Sequence, residues 1–139
     1  MQKACLYFVV YTLYAFVVIE YGVKEIWLRP RPGQTTLFGS THEFLPIFHS
    51  LPSGNFRSFV SGHTAAWFGL ICVGYNIYPT NHFFWTILSL LVGITMGLLR
   101  ICVGKHFLSD IVFAGLFVAT SCVILEMFIT RFFGTAAPT

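Results

Sequence analysis

Residues 100–125 read "RICVGKHFLSDIVFAGLFVATSCVIL". Arg100, Lys105, His106 and Asp110 fall within eleven positions, and a run of nearly twenty mostly apolar residues follows. A helix of about 20 apolar residues crosses a ~30 Å hydrocarbon core. An ionisable group at the mouth of such a run is costly to place there and is usually functional. This stretch therefore sets two expectations at once, a membrane-embedded helix and chemistry at one of its ends.

The composition extends the first expectation to the whole chain. Of 139 residues, 56% are apolar and 9% charged, against roughly 25% charged in ordinary soluble domains. Three further apolar segments, at about 4–23, 64–80 and 83–103, join the run at about 107–130. The expected architecture is an all-α integral membrane protein of about four transmembrane helices, a helical bundle in one domain spanning 1–139. "PTNH", residues 79–82, suits a tight reversal between the second and third spans. Lys3 ahead of an apolar run resembles the start of a signal peptide. The run is long and no small-residue cleavage pattern follows it, so an uncleaved first helix or signal anchor is expected.

Residues 24–63 mix charges with Phe38, Phe44, Leu45, Ile47, Phe48 and Leu51. Two readings stand: a segment lying in the membrane interface, or a loop packed on the helix ends. The net charge of +3 and the lack of a Lys/Arg run give no footing for nucleic acid. Cys5, Cys72, Cys102 and Cys122 lie far apart in apolar runs and read as small buried hydrophobes. His42, Glu43 and His49 match no familiar metal-ligand spacing, so no metal site is expected from them.

Four antiparallel spans fix which polar residues meet. The first leaves the membrane near residue 23 and the second enters from the same side near 64. The third returns there near 103 and the fourth departs near 107. Lys24, Arg31, Ser61, Gly62, His63, Arg100, His106 and Asp110 thus gather at one face. Charges gathered at a face, and not strung across the membrane, argue against a channel. Six of eight Lys/Arg lie on that face, with Lys3 and Arg131 opposite. By the positive-inside rule the face is cytoplasmic.

The chemistry of these residue types is that of an anion site. With His106 opening a helix, Asp110 stands one turn on along the same face, able to accept from one imidazole nitrogen and leave the other free to attack. The bland alternative is a helix cap at Ser109 or Asp110. Gly62 exposes backbone amides, Ser61 adds a hydroxyl and His63 a proton donor, although Ser61 could equally be an ordinary N-cap. Lys24, Arg31 and Arg100 supply the cations that phosphoryl transfer requires, and planar guanidinium forks suit phosphate well.

In order and spacing these pieces resemble the type 2 phosphatidic acid phosphatase superfamily, membrane lipid phosphatases related to vanadium haloperoxidases. Its K-x6-RP element is matched by Lys24, Arg31 and Pro32. Its PSGH is matched by Ser61, Gly62 and His63, and its SR-x5-H-x3-D by Arg100, His106 and Asp110. The resemblance covers residues 20–130. It implies a metal-independent phosphatase, needing no cofactor, that hydrolyses a lipid phosphate or diphosphate through a phosphohistidine. His106 would be the nucleophile, Asp110 its orienting partner, and His63 the proton donor to the leaving oxygen. Lys24, Arg31, Ser61, Gly62 and Arg100 would hold the phosphate. The partners implied are the bilayer and a lipid phosphate: phosphatidate-like lipids, polyprenyl diphosphate, phosphatidylglycerol phosphate or lipid A.

The resemblance also implies a bacterial inner membrane with the site facing the extracytoplasmic side, against the charge count. Val60 and Leu99 stand where the family has Pro and Ser. The family places the Lys/Arg element after its third span and here it follows the first. Two N-terminal helices are therefore expected to be lacking, with a second copy or partner helices as a way to supply them. A truncated, non-catalytic phosphate-lipid binding or assembly subunit is the alternative function. Pro52-Ser53-Gly54, a second Ser-Gly in the same loop, is followed by Asn55 and reads as a turn.

Overall fold

The computed structural model describes residues 2–49, 51–77 and 79–133 and is helical throughout its regular parts. The first rod is α1 (Gln2–Phe16), a wide π-type turn over Val17–Val23 and a closing turn, α2 (Lys24–Ile26). A long loop leads to α3 (Gly62–Phe68) and α4 (Leu70–Ile77), which meet at Gly69 and form the second rod. A short turn, Pro79–Asn81, reverses the chain into α5 (His82–Cys102), and α6 (Leu108–Phe133) completes the bundle. These four rods fall on the four expected apolar segments.

Small residues set how closely the rods approach. Ala15, Ala65 and Ala114 lie buried with Tyr11, Ile19, Phe59, Val60, Cys72 and Val118 in one core. A methyl group at Gly69 would stand 2.3 Å from the Tyr11 ring, so only glycine lets the second rod lie against α1 there. Packing through small residues is the usual route for helices that gain no hydrophobic drive from association.

The outer surface is apolar. Phe83, Phe84, Leu91, Ile94 and Leu98 on α5 face outward, as do Val112, Leu116, Val123, Ile124 and Met127 on α6. Among the described residues two helical stretches, His82–Cys102 and Leu108–Phe128, are long and apolar enough to cross a membrane. Leaving this many large apolar side chains in water would be strongly unfavourable.

The loop between α2 and α3 packs on the helix ends. Trp27 Nε1 donates to the Ile47 carbonyl. Phe44 meets Phe107 edge-on at 5.2 Å, and Phe48 meets Phe113 at 6.3 Å. Leu37, Phe38 and Phe48 remain exposed on its outside. Pro52, Ser53, Gly54 and Asn55 form an exposed bend away from the core, as their turn reading expects.

The cysteines need a correction. Cys72 on α4 and Cys122 on α6 form a disulfide across a separation of 50 residues, with Cα atoms 5.9 Å apart. Their apolar surroundings were legible, but the pairing depends on which two rods are neighbours. Cys102 is a free, exposed thiol. The side chains of Lys3 and Cys5 lie outside the described set.

Candidate active site

Three chain segments converge where the first rod ends and α6 begins. The Ser58 amide donates to the Arg29 carbonyl at 3.1 Å, and the Ser61 amide donates to the Asp110 carbonyl at 3.3 Å. Gly33 reaches Gly104 in the same way at 3.3 Å. The connection from α5 to α6 turns through Gly104 at φ +68°, a left-handed conformation that favours glycine. That turn lets the Lys105 amide, one residue before His106, donate at 3.0 Å to the carbonyl of Arg100, which stands in the last turn of α5.

His106 is buried, and its Nδ1 lies 2.7 Å from the Ser58 carbonyl oxygen. A carbonyl can only accept, so Nδ1 carries a proton, and in the neutral ring the lone pair is on Nε2. Asp110 lies further off, 3.6 Å from Nδ1. The backbone carbonyl is thus the nearer partner of Nδ1, with the Asp110 carboxylate in ion-pair range one turn on. The reason is local: His106 precedes α6 and does not open it, and the Asp110 oxygens also serve other donors. Oδ2 accepts from Ser58 Oγ at 2.6 Å and from the Phe107 amide at 2.9 Å, so the carboxylate also caps α6. Oδ1 accepts from Arg29 Nη1 at 2.5 Å. Both readings of Asp110, as cap and as neighbour of His106, hold together.

Arg29 is a site residue that motif reasoning passed over as part of a polar loop. Its side chain is fully buried. Nε donates to the Leu45 carbonyl at 3.0 Å and Nη1 also reaches Ser109 Oγ at 2.8 Å. The guanidinium stacks over Phe107, 4.4 Å from the ring centroid, with Phe44 at 5.6 Å. Charge pairing, carbonyl acceptance and ring faces together make a buried guanidinium tolerable. The available signal was the doubled "RPRP" of residues 29–32, in which two prolines fix the backbone on either side of Arg31. Ser58 carried no signal at all.

Lys24 is buried at the end of the wide turn and is paired with Glu20 one turn before it. A Cβ placed on Gly62 would stand 3.5 Å from Lys24 Nζ, so the ammonium lies against the Gly62 backbone. Ser61 is the N-cap of α3: its Oγ accepts from the Thr64 amide at 3.4 Å and faces the Thr64 hydroxyl at 2.8 Å. An oxygen that accepts there can still give its own proton to an anion.

His63 is exposed beside these groups. Its pKa is held below the ordinary histidine value by partial burial first, then by the positive charges of Arg100 and Lys24 and by His106, with Glu20 opposing. Those influences show that Lys24, His63, Arg100 and His106 share one electrostatic environment. Arg100 Nε is buried with no hydrogen-bond partner among the described residues. An orphaned buried donor is unfavourable unless a ligand completes it. Arg31 opens on an adjoining cavity of about 250 Å³, shared with Gln34, Gly104 and Lys105. Of the expected residues, Lys24 lies against Gly62, Ser61 bonds to the Asp110 backbone and His106 lies beside Asp110, while Lys24, Arg100 and His106 act electrostatically on His63. Among the described residues no cluster of His, Cys, Asp and Glu has metal-binding geometry.

The sequence profile of the PAP2 superfamily matches residues 3–134. The chain belongs to that superfamily. PAP2 stands for the type 2 phosphatidic acid phosphatases, so the resemblance carried by the three motifs holds over nearly the whole chain. A curated relative, lipid A 4'-phosphatase of Francisella tularensis subsp. novicida (strain U112), is 31% identical over 117 residues. The alignment covers 83% of this chain and 53% of the relative, so this PAP2 chain spans about half the relative's length. No solved structure matches it.

Proposed function

We propose that this chain is a membrane phosphatase that hydrolyses a lipid phosphate or diphosphate through a phosphohistidine, without metal. The observation that carries this reading is the bond from His106 Nδ1 to the Ser58 carbonyl, which leaves Nε2 of the neutral ring as the nucleophile. Nε2 attacks phosphorus while the bond to the leaving oxygen breaks, and protonated His63 gives that oxygen its proton. The ring of phosphorylated His106 then carries positive charge. The Ser58 carbonyl and the Asp110 carboxylate, 3.6 Å from Nδ1, stabilise it. Neutral His63 next takes a proton from water, whose oxygen attacks phosphorus. The P–N bond breaks, phosphate leaves, and both histidines return to their starting forms.

Lys24, Arg100, Ser61 and the Gly62 amide hold the phosphate oxygens, and Arg31 reaches the same group from the adjoining cavity. The unpartnered Arg100 Nε supports this role. The named relative makes a phosphorylated lipid A the first substrate to test, ahead of phosphatidate-like lipids, polyprenyl diphosphate and phosphatidylglycerol phosphate. We place the protein in a bacterial inner membrane with the site on the extracytoplasmic side.

The test is phosphate release from each lipid class by purified protein in detergent, with EDTA present. Wild type is expected to turn over at least one class, and His106→Ala to lose both release and the acid-labile phosphoenzyme. Undiminished turnover by His106→Ala would remove the nucleophile assignment. The alternative is a non-catalytic phosphate-lipid binding subunit. Binding without turnover in wild type would select it.

A further inference from the structure

Glu20 stands in the middle of the candidate site, and no step above uses it. Its Oε1 takes the Lys24 ammonium. A Cβ on Gly62 would come within 3.0 Å of that same oxygen. Carboxylate and ammonium therefore lie together against the bare backbone of Ser61-Gly62-His63, where the phosphate oxygens of the proposed reaction have to sit. Glu20 also acts electrostatically on His63, in the opposite sense to Arg100 and Lys24.

The backbone is shaped to put it there. Over Val17–Val23 the helix widens, and the Lys24 amide bonds to the Ile19 carbonyl, five residues back. Such inserted turns sacrifice regular helix bonding and concentrate at functional sites. The Glu20 carbonyl is instead satisfied from outside, by Arg57 Nη2 at 2.6 Å, and Arg57 is itself tied to Glu25 Oε1 at 2.6 Å. A loop residue thus clamps the widened turn. The result is a Glu20 side chain in line with Lys24, 30% exposed while the Lys24 side chain is 9% exposed.

We propose that Glu20 is a resident anion of the phosphate site, neutralising Lys24 while the site is empty and displaced from it when substrate phosphate binds. The inference rests on Lys24 being a phosphate ligand. A nearly buried ammonium at a membrane face is unfavourable without a counter-ion. A carboxylate held against Gly62 would stand beside the incoming phosphate and repel it. Substrate therefore binds by exchange, and the carboxylate returns to Lys24 as product phosphate departs. Glu20 is a positioning residue in this scheme: it sets affinity and release through Lys24 and touches no reacting atom.

The test compares wild type with Glu20→Gln, which keeps the shape and loses the charge. Inhibition of lipid phosphate turnover by inorganic orthovanadate and by orthophosphate is measured, together with KM and kcat. The expected result is a Ki about tenfold lower for both anions, a lower KM, and a kcat that is unchanged or reduced by slow release. A Ki that is unchanged or higher would overturn the proposal, since Glu20 would then only hold Lys24 in place. Glu20→Ala, which also removes the carboxylate, should shift Ki in the same direction and serves if the Gln variant folds poorly. Lys24→Ala separates the two levels. If it leaves both Ki values untouched, Lys24 is no phosphate ligand, and the underlying reading fails before the role of Glu20 is reached.

Discussion

Arg29 Nη1 and Asp110 Oδ1 meet at 2.5 Å, 81 residues apart in sequence, with neither side chain reaching solvent. The pair locks the long loop to the start of α6, and the same carboxylate holds Ser58, whose carbonyl holds His106. Breaking one side of a buried pair leaves the other charge uncompensated, at about 3–5 kcal/mol. Arg29→Met should therefore lower stability by that order, read from the thermal midpoint in detergent, and should abolish turnover. Arg29→Lys keeps the charge but loses the fork that serves Asp110, Ser109 and Leu45 together. It should fall between the two. A wild-type midpoint in Arg29→Met would show that the pair does not hold the site.

Ser58 offers a finer cut through the same network. Ser58→Ala keeps the backbone carbonyl that fixes the His106 tautomer and removes only the hydroxyl bond to Asp110. Loss of one hydrogen bond to a charged group is worth about 1.5–3 kcal/mol. We expect kcat to drop about tenfold or more, with KM nearly unchanged and the phosphoenzyme still formed. Rapid-quench measurement of the phosphoenzyme against steady-state turnover checks it. A change in KM alone would mean that Ser58 acts on binding, not on the nucleophile.

These two residues also mark how far the sequence could be read. The four rods were visible because hydropathy writes them directly, and the convergence at one face followed from counting crossings. His106, Asp110, His63, Lys24 and Arg100 were visible because the motif spacings single them out. Arg29 and Ser58 were not, because their work is done through tertiary neighbours: one through a carboxylate 81 positions away, the other through its backbone. The same holds for Cys72 and Cys122, where pairing follows from helix adjacency. Spacing put Asp110 beside His106, but it could not reveal that Arg29 and Ser58 also hold that carboxylate.

His63 gives the pH dependence its sign. Burial and the charges of Arg100 and Lys24 hold its pKa below 6.5 in the empty site, with His106 acting likewise and Glu20 opposing. The free enzyme therefore loses the His63 proton at a lower pH than an ordinary histidine would. As the proposed proton donor it must be protonated, so kcat/KM should fall as pH rises through that depressed value. A bound phosphate adds negative charge and favours the protonated ring, so the matching limb of kcat should lie at higher pH. The two profiles measured on one lipid phosphate check this. His63→Gln should remove the alkaline limb of both, and its survival in that variant would assign the limb to another group.

The disulfide allows stability and chemistry to be separated. Cys72 and Cys122 tie α4 to α6 through side chains outside the cluster around His106. A cross-link closing about 50 residues is worth up to about 4 kcal/mol in the chain-entropy account. A bilayer already confines the unfolded chain, so the effect in lipid should be smaller than in detergent. The Cys72→Ala, Cys122→Ala double variant should show a lower thermal midpoint, more so in detergent, with kcat near wild type well below the midpoint. Thiol counting on denatured protein gives the independent check, because the unreduced wild type should label at two fewer cysteines than the reduced one. If kcat fell in the double variant at temperatures where it remains folded, the α4–α6 tie would have to be counted among the elements that shape the site.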